Sequence, residues 1–223
     1  MKTLARWHIW LGWTVAVPVL IWLASGLFMA ARPIDEVRGT ALRIDRKPPP
    51  ITLTLNQGSE AVAMREGRLL NQRGRDVLIA TLTDGSRARF DLSNQGMRRI
   101  APVDEAEARR AVASEIVGGA NPLAARLFSA AESPFDFRKP VAAWQVTLAD
   151  GTHVYVGRDS GEIEAVRTRW WRAYDFMWGL HIMDLQTRED TSNVFLWLFG
   201  ALALGSAAIG STLMFRRRTR PRG

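Results

Sequence analysis

Residues 142–163 read AAWQVTLADGTHVYVGRDSGEI. Two alternating runs of β-prone residues flank Asp150-Gly151, the strongest short-range signal for a hairpin. With that dipeptide as a two-residue tip, Leu148 lies opposite His153 and Val146 opposite Tyr155. Directly opposed residues share a face. The expectation is that Trp144, Val146, Leu148, His153 and Tyr155 line one side, with Gln145, Thr147, Val154 and Val156 on the other. Trp144 and Tyr155 then mark a candidate binding surface, wherever a covering helix leaves that side open.

The signal recurs upstream in VLIATLTDGSRARFDLSNQGMRRI, residues 77–100. Thr81, Leu82, Asp84 and Gly85 match Thr147, Leu148, Asp150 and Gly151 at an offset of 66, and Gly96 matches Gly161 at 65. Two related β units follow. Between them lies VDEAEARRAVASEIVGGANP, residues 103–122. Asp104 with Glu107 three residues on predicts a capping box. Ala108, Ala111, Val112 and Ile116 share one helical face, and Gly118-Gly119 follow as a stop. One such helix on a small antiparallel sheet is an α+β layer. Upstream, KPPPIT (residues 47–52) predicts a rigid extended linker.

Two apolar runs bracket this region. HIWLGWTVAVPVLIWLASGLFMAA (8–31) and VFLWLFGALALGSAAIGSTLMF (194–215) carry no formal charge. Each is long enough as a helix to cross about 30 Å of hydrocarbon. The first exceeds a signal-peptide core and ends on bulky Phe28 and Met29, which favours an uncleaved anchor. Pro18 sits mid-span, where a kink is expected. Small residues four apart (Gly12 and Ala16, Ala201 and Gly205, Ser206 and Gly210) suit close helix approach, to a partner's helices or in a homodimer.

The net charge of +8 resolves once it is located. Seven of the 30 basic residues lie at the two ends, while all 22 acidic residues lie between positions 35 and 190, leaving the middle near neutral. Basic tails beside apolar runs set membrane topology and argue against nucleic-acid binding. Both termini are expected in the cytoplasm, with residues 32–193 in the periplasm. The chain has no cysteine, which excludes disulfides, Cys-ligated metals and thiol nucleophiles.

AAWQVTLADGTHVYVGRDSGEI and the DEAEARRAVASEI helix before it resemble a PepSY domain. RWHIWLGW, Ser25-Gly26, Gly179-Leu180-His181 and the run from Gly210 to Arg218 are similar to PepSY-associated transmembrane proteins. The resemblance implies a two-span membrane anchor with a periplasmic α+β PepSY-like domain, a helix on a small antiparallel sheet, duplicated in degenerate form. The parts are 1–7, a cytoplasmic N-terminus; 8–31, the first span; and 32–103, a linker with the degenerate β unit. They continue with 104–167, the PepSY domain; 168–193, an aromatic interfacial segment; 194–215, the second span; and 216–223, a basic cytoplasmic tail. It also implies a bacterial inner-membrane protein that binds or regulates an envelope partner. Longer members of that family are linked to iron uptake and ferric-siderophore reduction through haem b.

Three histidines bear on that alternative: His8, His153 and His181. His8 and His181 belong to opposite ends of the expected first span, so each is a haem candidate only with a partner chain's histidine. His8 reads otherwise as part of a collar with Trp7, Trp10 and Arg6. His153 reads as a strand residue. His181 lies in RWWRAYDFMWGLHIMDLQTRED (169–190), an amphiphilic stretch suited to the membrane surface. There Trp171, Trp178 and Asp184 are candidate contact residues, and Asp184, one turn on, is placed to pair with His181. No Gly-rich phosphate loop, HExxH or G-x-S-x-G occurs, so no catalytic residue is assigned.

Overall fold

The computed structural model describes residues 2–45, 62–92 and 96–218; the Pro-rich linker lies outside them. The chain divides into two compact units, Met1–Pro33 with Arg172–Gly223, and Ile34–Trp171.

The first unit is built on α1 (Lys2–Ala30) and α5 (Val194–Arg218), both long and apolar enough to cross a membrane. The helix α1 starts six residues before the apolar run, because Lys2 to Arg6 have good helix propensity. Pro18 lies inside α1 without ending it. Residues with restricted exposure recur at Leu4, His8, Leu11, Val15 and Val19 on α1, and at Leu196, Phe199, Ala203, Ser206, Gly210 and Leu213 on α5. The alternating spacing of three and four is the seam of a pair crossing at a shallow angle. Leu11 meets Gly205 while His8 meets Gly210, so the helices run antiparallel and both termini emerge at one end. The outer faces are apolar: Trp10 and Trp13 on α1 and Trp197 and Leu204 on α5 are all more than two-thirds exposed. That suits lipid and not water.

The second unit opens with α2 (Ile34–Arg38) and a 3-10 turn at Thr40–Leu42. A four-stranded antiparallel meander follows: β1 (Met64–Gln72), β2 (Arg75–Leu82), β3 (Arg87–Asp91) and β4 (Arg98–Ile100). Then come α3 (Glu105–Glu115) and a second meander of β5 (Ala124–Phe128), β6 (Ala143–Thr147), β7 (His153–Gly157) and β8 (Ile163–Arg167). The last element, α4 (Arg169–His181), begins at this unit's end.

The β6–β7 register differs by one residue from the two-residue tip. Thr147 pairs with His153, Gln145 with Tyr155, and Trp144 with Val156. The cause is in the turn. Leu148 and Thr152 close it, with Leu148 N–H donating to the Thr152 carbonyl at 2.8 Å. Three residues therefore make the tip, and Gly151 takes φ 78°, as a bulged hairpin requires. Asp150 secures the turn by accepting from the Thr152 N–H at 2.8 Å and hydroxyl at 2.9 Å. A slip of one residue exchanges the faces. Trp144 and Tyr155 thus lie on opposite sides of the sheet, which corrects the shared surface expected for them. The upstream hairpin closes identically, through Leu82, Ser86 and Gly85 at φ 85°. There the Ser86 hydroxyl and N–H hold the Asp84 carboxyl below its ordinary range.

Each face of the second sheet has its own cover. Val146, Val154, Val156 and Val166 pack against Ala108, Ala111, Val112 and Ile116 of α3. Burying each such aliphatic side chain contributes roughly 1.5–3 kcal/mol. Trp144 closes this layer, its indole N–H donating to the Val103 carbonyl at 2.8 Å. On the other face Phe137 stacks on Tyr155 at 4.4 Å, beside Ala143 and Ala165. Asp104 caps α3 by accepting from the Glu107 N–H at 2.7 Å.

The capping box is only half made, because the Glu107 carboxylate serves another partner. Arg89, with its side chain 2% exposed, donates to both Glu107 oxygens, at 2.6 and 3.1 Å. Arg73 reaches Glu107 and, at 2.7 Å, Glu115. Gln72 donates to the Ser160 carbonyl at 2.7 Å. These bonds join the first sheet to α3 and to the last turn of the second sheet.

The Arg89 hydrogen bond holds the Glu107 carboxyl below its ordinary value of 4.5, against the opposing effect of burial. A lowered carboxyl contributes stability above that value and loses it as pH falls through the folded-state value. Replacing Glu107→Gln leaves Arg89 buried without a counter-charge, so a loss of about 3–5 kcal/mol is expected. Denaturant unfolding of the purified chain, followed by strand circular dichroism, checks this. The variant should also lack the wild-type decline in stability below pH 4.5 that Glu107 contributes.

Candidate functional site

Three polar clusters concern the residues singled out from the sequence. The first surrounds His181, the last residue of α4. Its ring stacks on Trp22 at 5.1 Å and lies 6.5 Å from Trp178. Its Nδ1 is 3.1 Å from the Trp22 carbonyl and 3.2 Å from the Ser25 hydroxyl. That hydroxyl itself donates to the Trp22 carbonyl at 3.0 Å. A carbonyl only accepts, so the network assigns the proton to Nδ1 and leaves the lone pair on Nε2. Gly26 permits the approach: a Cβ there would lie 3.2 Å from the His181 ring. The Ser25-Gly26 and Gly179-Leu180-His181 motifs, 156 residues apart from Ser25 to His181, thus meet in one contact.

Asp184 does not pair with His181. Met183 takes φ 57°, turning the chain out of the helix. The Asp184 carboxylate then accepts from the N–H groups of Gln186, Thr187, Glu189 and Asp190, and from the Thr187 hydroxyl. The Thr187 bonds, led by the hydroxyl, hold that carboxyl well below the usual range. The folded-back loop brings Arg188 to the buried Asp175 at 2.7 Å, and the Trp178 indole donates to the Arg188 carbonyl at 3.1 Å. Among the contact residues expected in 169–190, Trp178 and Asp184 are therefore engaged within their own unit.

His8 forms the second cluster. The collar reading placed it with Trp7 and Trp10, but only those two face outward, at 65% and 72% exposure. His8 turns toward α5, with Nδ1 3.5 Å from the Ser206 hydroxyl. A Cβ on Gly210 would sit 2.8 Å from the imidazole. Helical periodicity puts residue 8 on a different face from 7 and 10, and that face is the seam. A Cβ on Gly12 would meet nothing within 4 Å, so that glycine is not a close approach within the pair. Ser25 lies 17 positions after His8 on the same helix, about 26 Å along its axis at 1.5 Å per residue. The two histidines thus mark opposite ends of the helix pair.

The third cluster lies on the outer face of the second sheet. Asp136, from the loop between β5 and β6, accepts from the Tyr155 hydroxyl at 2.6 Å and lies 2.9 Å from His153 Nδ1. Gln145 donates to the same hydroxyl at 2.5 Å. Burial, helped by the Asp136 bond, holds the Tyr155 hydroxyl far above its usual range, so it remains a donor. Asp136 also fixes His153 with the proton on Nδ1 and Nε2 as a lone pair. Sequence reasoning missed Asp136, because a single carboxylate in SPFDFRKP carries no spacing signal. It becomes a partner only when β6 and β7 set residues 153 and 155 on its side.

No protein-family model matches the chain, and no curated protein or solved structure does. The fold alone therefore defines its class: two apolar helices of membrane-crossing length, with an α+β unit of two small antiparallel sheets between them in sequence.

The helix seam has a direct test in a chain without cysteines. Leu11→Cys with Gly205→Cys should form a disulfide on oxidation, because the Leu11 side chain lies 3.9 Å from the Gly205 Cβ position. Adding Gly210→Leu should strongly reduce it, since the new side chain must displace His8. Non-reducing gel mobility reads both outcomes.

Proposed function

We propose that this chain is a bacterial inner-membrane protein whose PepSY-like module is held in the periplasm by two spans, where it binds or regulates an envelope partner without catalysing a reaction. One observation carries the reading: α1 and α5 pair antiparallel with both termini at one end, where Lys2, Arg6 and Arg216 lie. Basic residues concentrated at one end of a helix pair mark the cytoplasmic side. The α3 helix followed by a hairpin supports the PepSY-like assignment of residues 104–167.

The partner surface moves with the corrected register. Trp144 and Tyr155 are each committed to packing, so neither presents a free face. The strand β5 is an edge of the second sheet, with Leu123 and Leu127 exposed at 70% and 42%. An extended partner segment adding to that edge is the contact this reading favours. The open side of Gly12 suits pairing with a partner's helix or a second copy.

A second reading, a haem-binding redox subunit tied to iron uptake, has one observation in its favour. His181 holds its proton on Nδ1 against a backbone carbonyl and keeps Nε2 as a lone pair, the arrangement that orients an imidazole toward a metal. His181 would supply one axial ligand, and haem would supply electron transfer. His8 lies too far along the helix pair to share that iron, so a second histidine must come from another chain.

Reporter fusions after Arg218 should behave as cytoplasmic, and insertions near Gly119 as periplasmic; the opposite pattern overturns the orientation. Leu127→Pro should abolish co-purification of a defined partner without changing the helix pairing. An unchanged partner set would remove β5 as the contact. Reduced absorbance bands of stoichiometric b-type haem, lost in His181→Ala, would replace the first reading with the second.

A further inference from the structure

The module's two chain connections lie on one part of its surface. Ile34 follows the end of α1 by four residues, a reach of at most about 14 Å in extended chain. Trp171 is bonded to Arg172, the first residue of the returning membrane unit. Within the module these ends are neighbours: a Cβ on Gly39 would lie 3.2 Å from Val166 and 3.4 Å from Thr168.

The same region carries a row of alternating cations and rings. The Arg167 guanidinium sits 4.0 Å from the Trp171 ring centre. On the same ring Arg138 lies at 5.7 Å, and it also stands 5.3 Å from the Phe135 ring. Contacts of this kind keep arginine charge beside aromatic surface. Phe135, at the row's outer end, is 50% exposed, and Ile34 is 43% exposed. A purely internal clamp accounts for Trp171, joined to Arg167 and Arg138, but leaves Phe135 projecting from its loop.

We propose that this end of the module is a membrane-docking surface, in which Phe135 and Ile34 enter the headgroup layer of an anionic bilayer and Arg138 and Arg167 supply the matching positive charge. The proposal rests on α1 and α5 being spans, because their chain connections bring this end close to lipid. Aromatic and arginine side chains are the residues that settle at that depth. Docking here would hold the module against the bilayer and leave the α3 side, across the sheet, toward solvent.

The test uses the full chain, whose lack of cysteine allows single-site labelling. Nitroxide labels go on Phe135→Cys, Ile34→Cys, Ala113→Cys on the exposed side of α3, and Leu204→Cys on the outer face of α5. The chain is reconstituted in phosphatidylglycerol-containing or pure phosphatidylcholine vesicles. Collision with oxygen and with a water-soluble nickel chelate gives the depth of each label. The expected result is interfacial depth at 135 and 34 and aqueous exposure at 113. Protection at 135 should fall several-fold in neutral vesicles and in Arg138→Gln. A label at 135 as accessible to nickel as that at 113 overturns the proposal. If 204 still reports hydrocarbon, the span reading survives that failure; if 204 is aqueous, both fall. Protection at 135 that appears only with added envelope protein identifies a protein occupant and also overturns it.

Discussion

Each hairpin of the module closes through three residues, and the placement of every side chain on its strands depends on that count. Asp150 and Thr152, like Asp84 and Ser86, lock the tip by side-chain bonds that a two-residue turn would not need. The extra residue sends Val146, Val154 and Val156 to α3 and Tyr155 to Phe137. The opposite register would set Tyr155 and His153 against an apolar helix and strand their polar atoms there. Turn chemistry and core packing therefore select the same register.

The shared geometry gives the two β units related polar anchors. Arg89 and Tyr155 occupy matching positions at the offset of 66, and each reaches a carboxylate from outside its own sheet. Arg89 takes Glu107 from α3, and Tyr155 takes Asp136 from the β5–β6 loop. The first contact joins the units to each other; the second holds a loop against the sheet. Both are buried enough that losing one partner leaves the other unsatisfied, which makes these contacts specific as well as cohesive. In the membrane unit, His8 and His181 play a comparable part, each accommodated by a glycine on the opposite helix.

Much of this was legible from local pattern. The two apolar helices follow from charge-free runs, α3 from its cap and its period, and the strands from alternation around Asp-Gly. The matched turns were visible because four residues recur at one offset. Register was not legible, since Asp-Gly serves both two- and three-residue tips and only the following hydroxyl, Thr152 or Ser86, favours the longer one. The engagement of Asp184 with its own loop was hidden as well: helical spacing points it at His181, while the backbone leaves the helix at Met183. Ser25-Gly26 and Gly179-Leu180-His181 were each conspicuous, but nothing local ties one to the other.

The sequence by itself determined what depends on short-range periodicity and on where charge is absent: the number and kind of elements, the apolar helices and the likeness of the two β units. Tertiary structure decided which polar groups meet, that Arg89 finds Glu107, Tyr155 finds Asp136 and His181 finds Ser25. The physical reason is distance along the chain. A buried donor is satisfied by whichever acceptor packing brings within about 3 Å, and these acceptors lie 18, 19 and 156 residues away, beyond the reach of any local pattern.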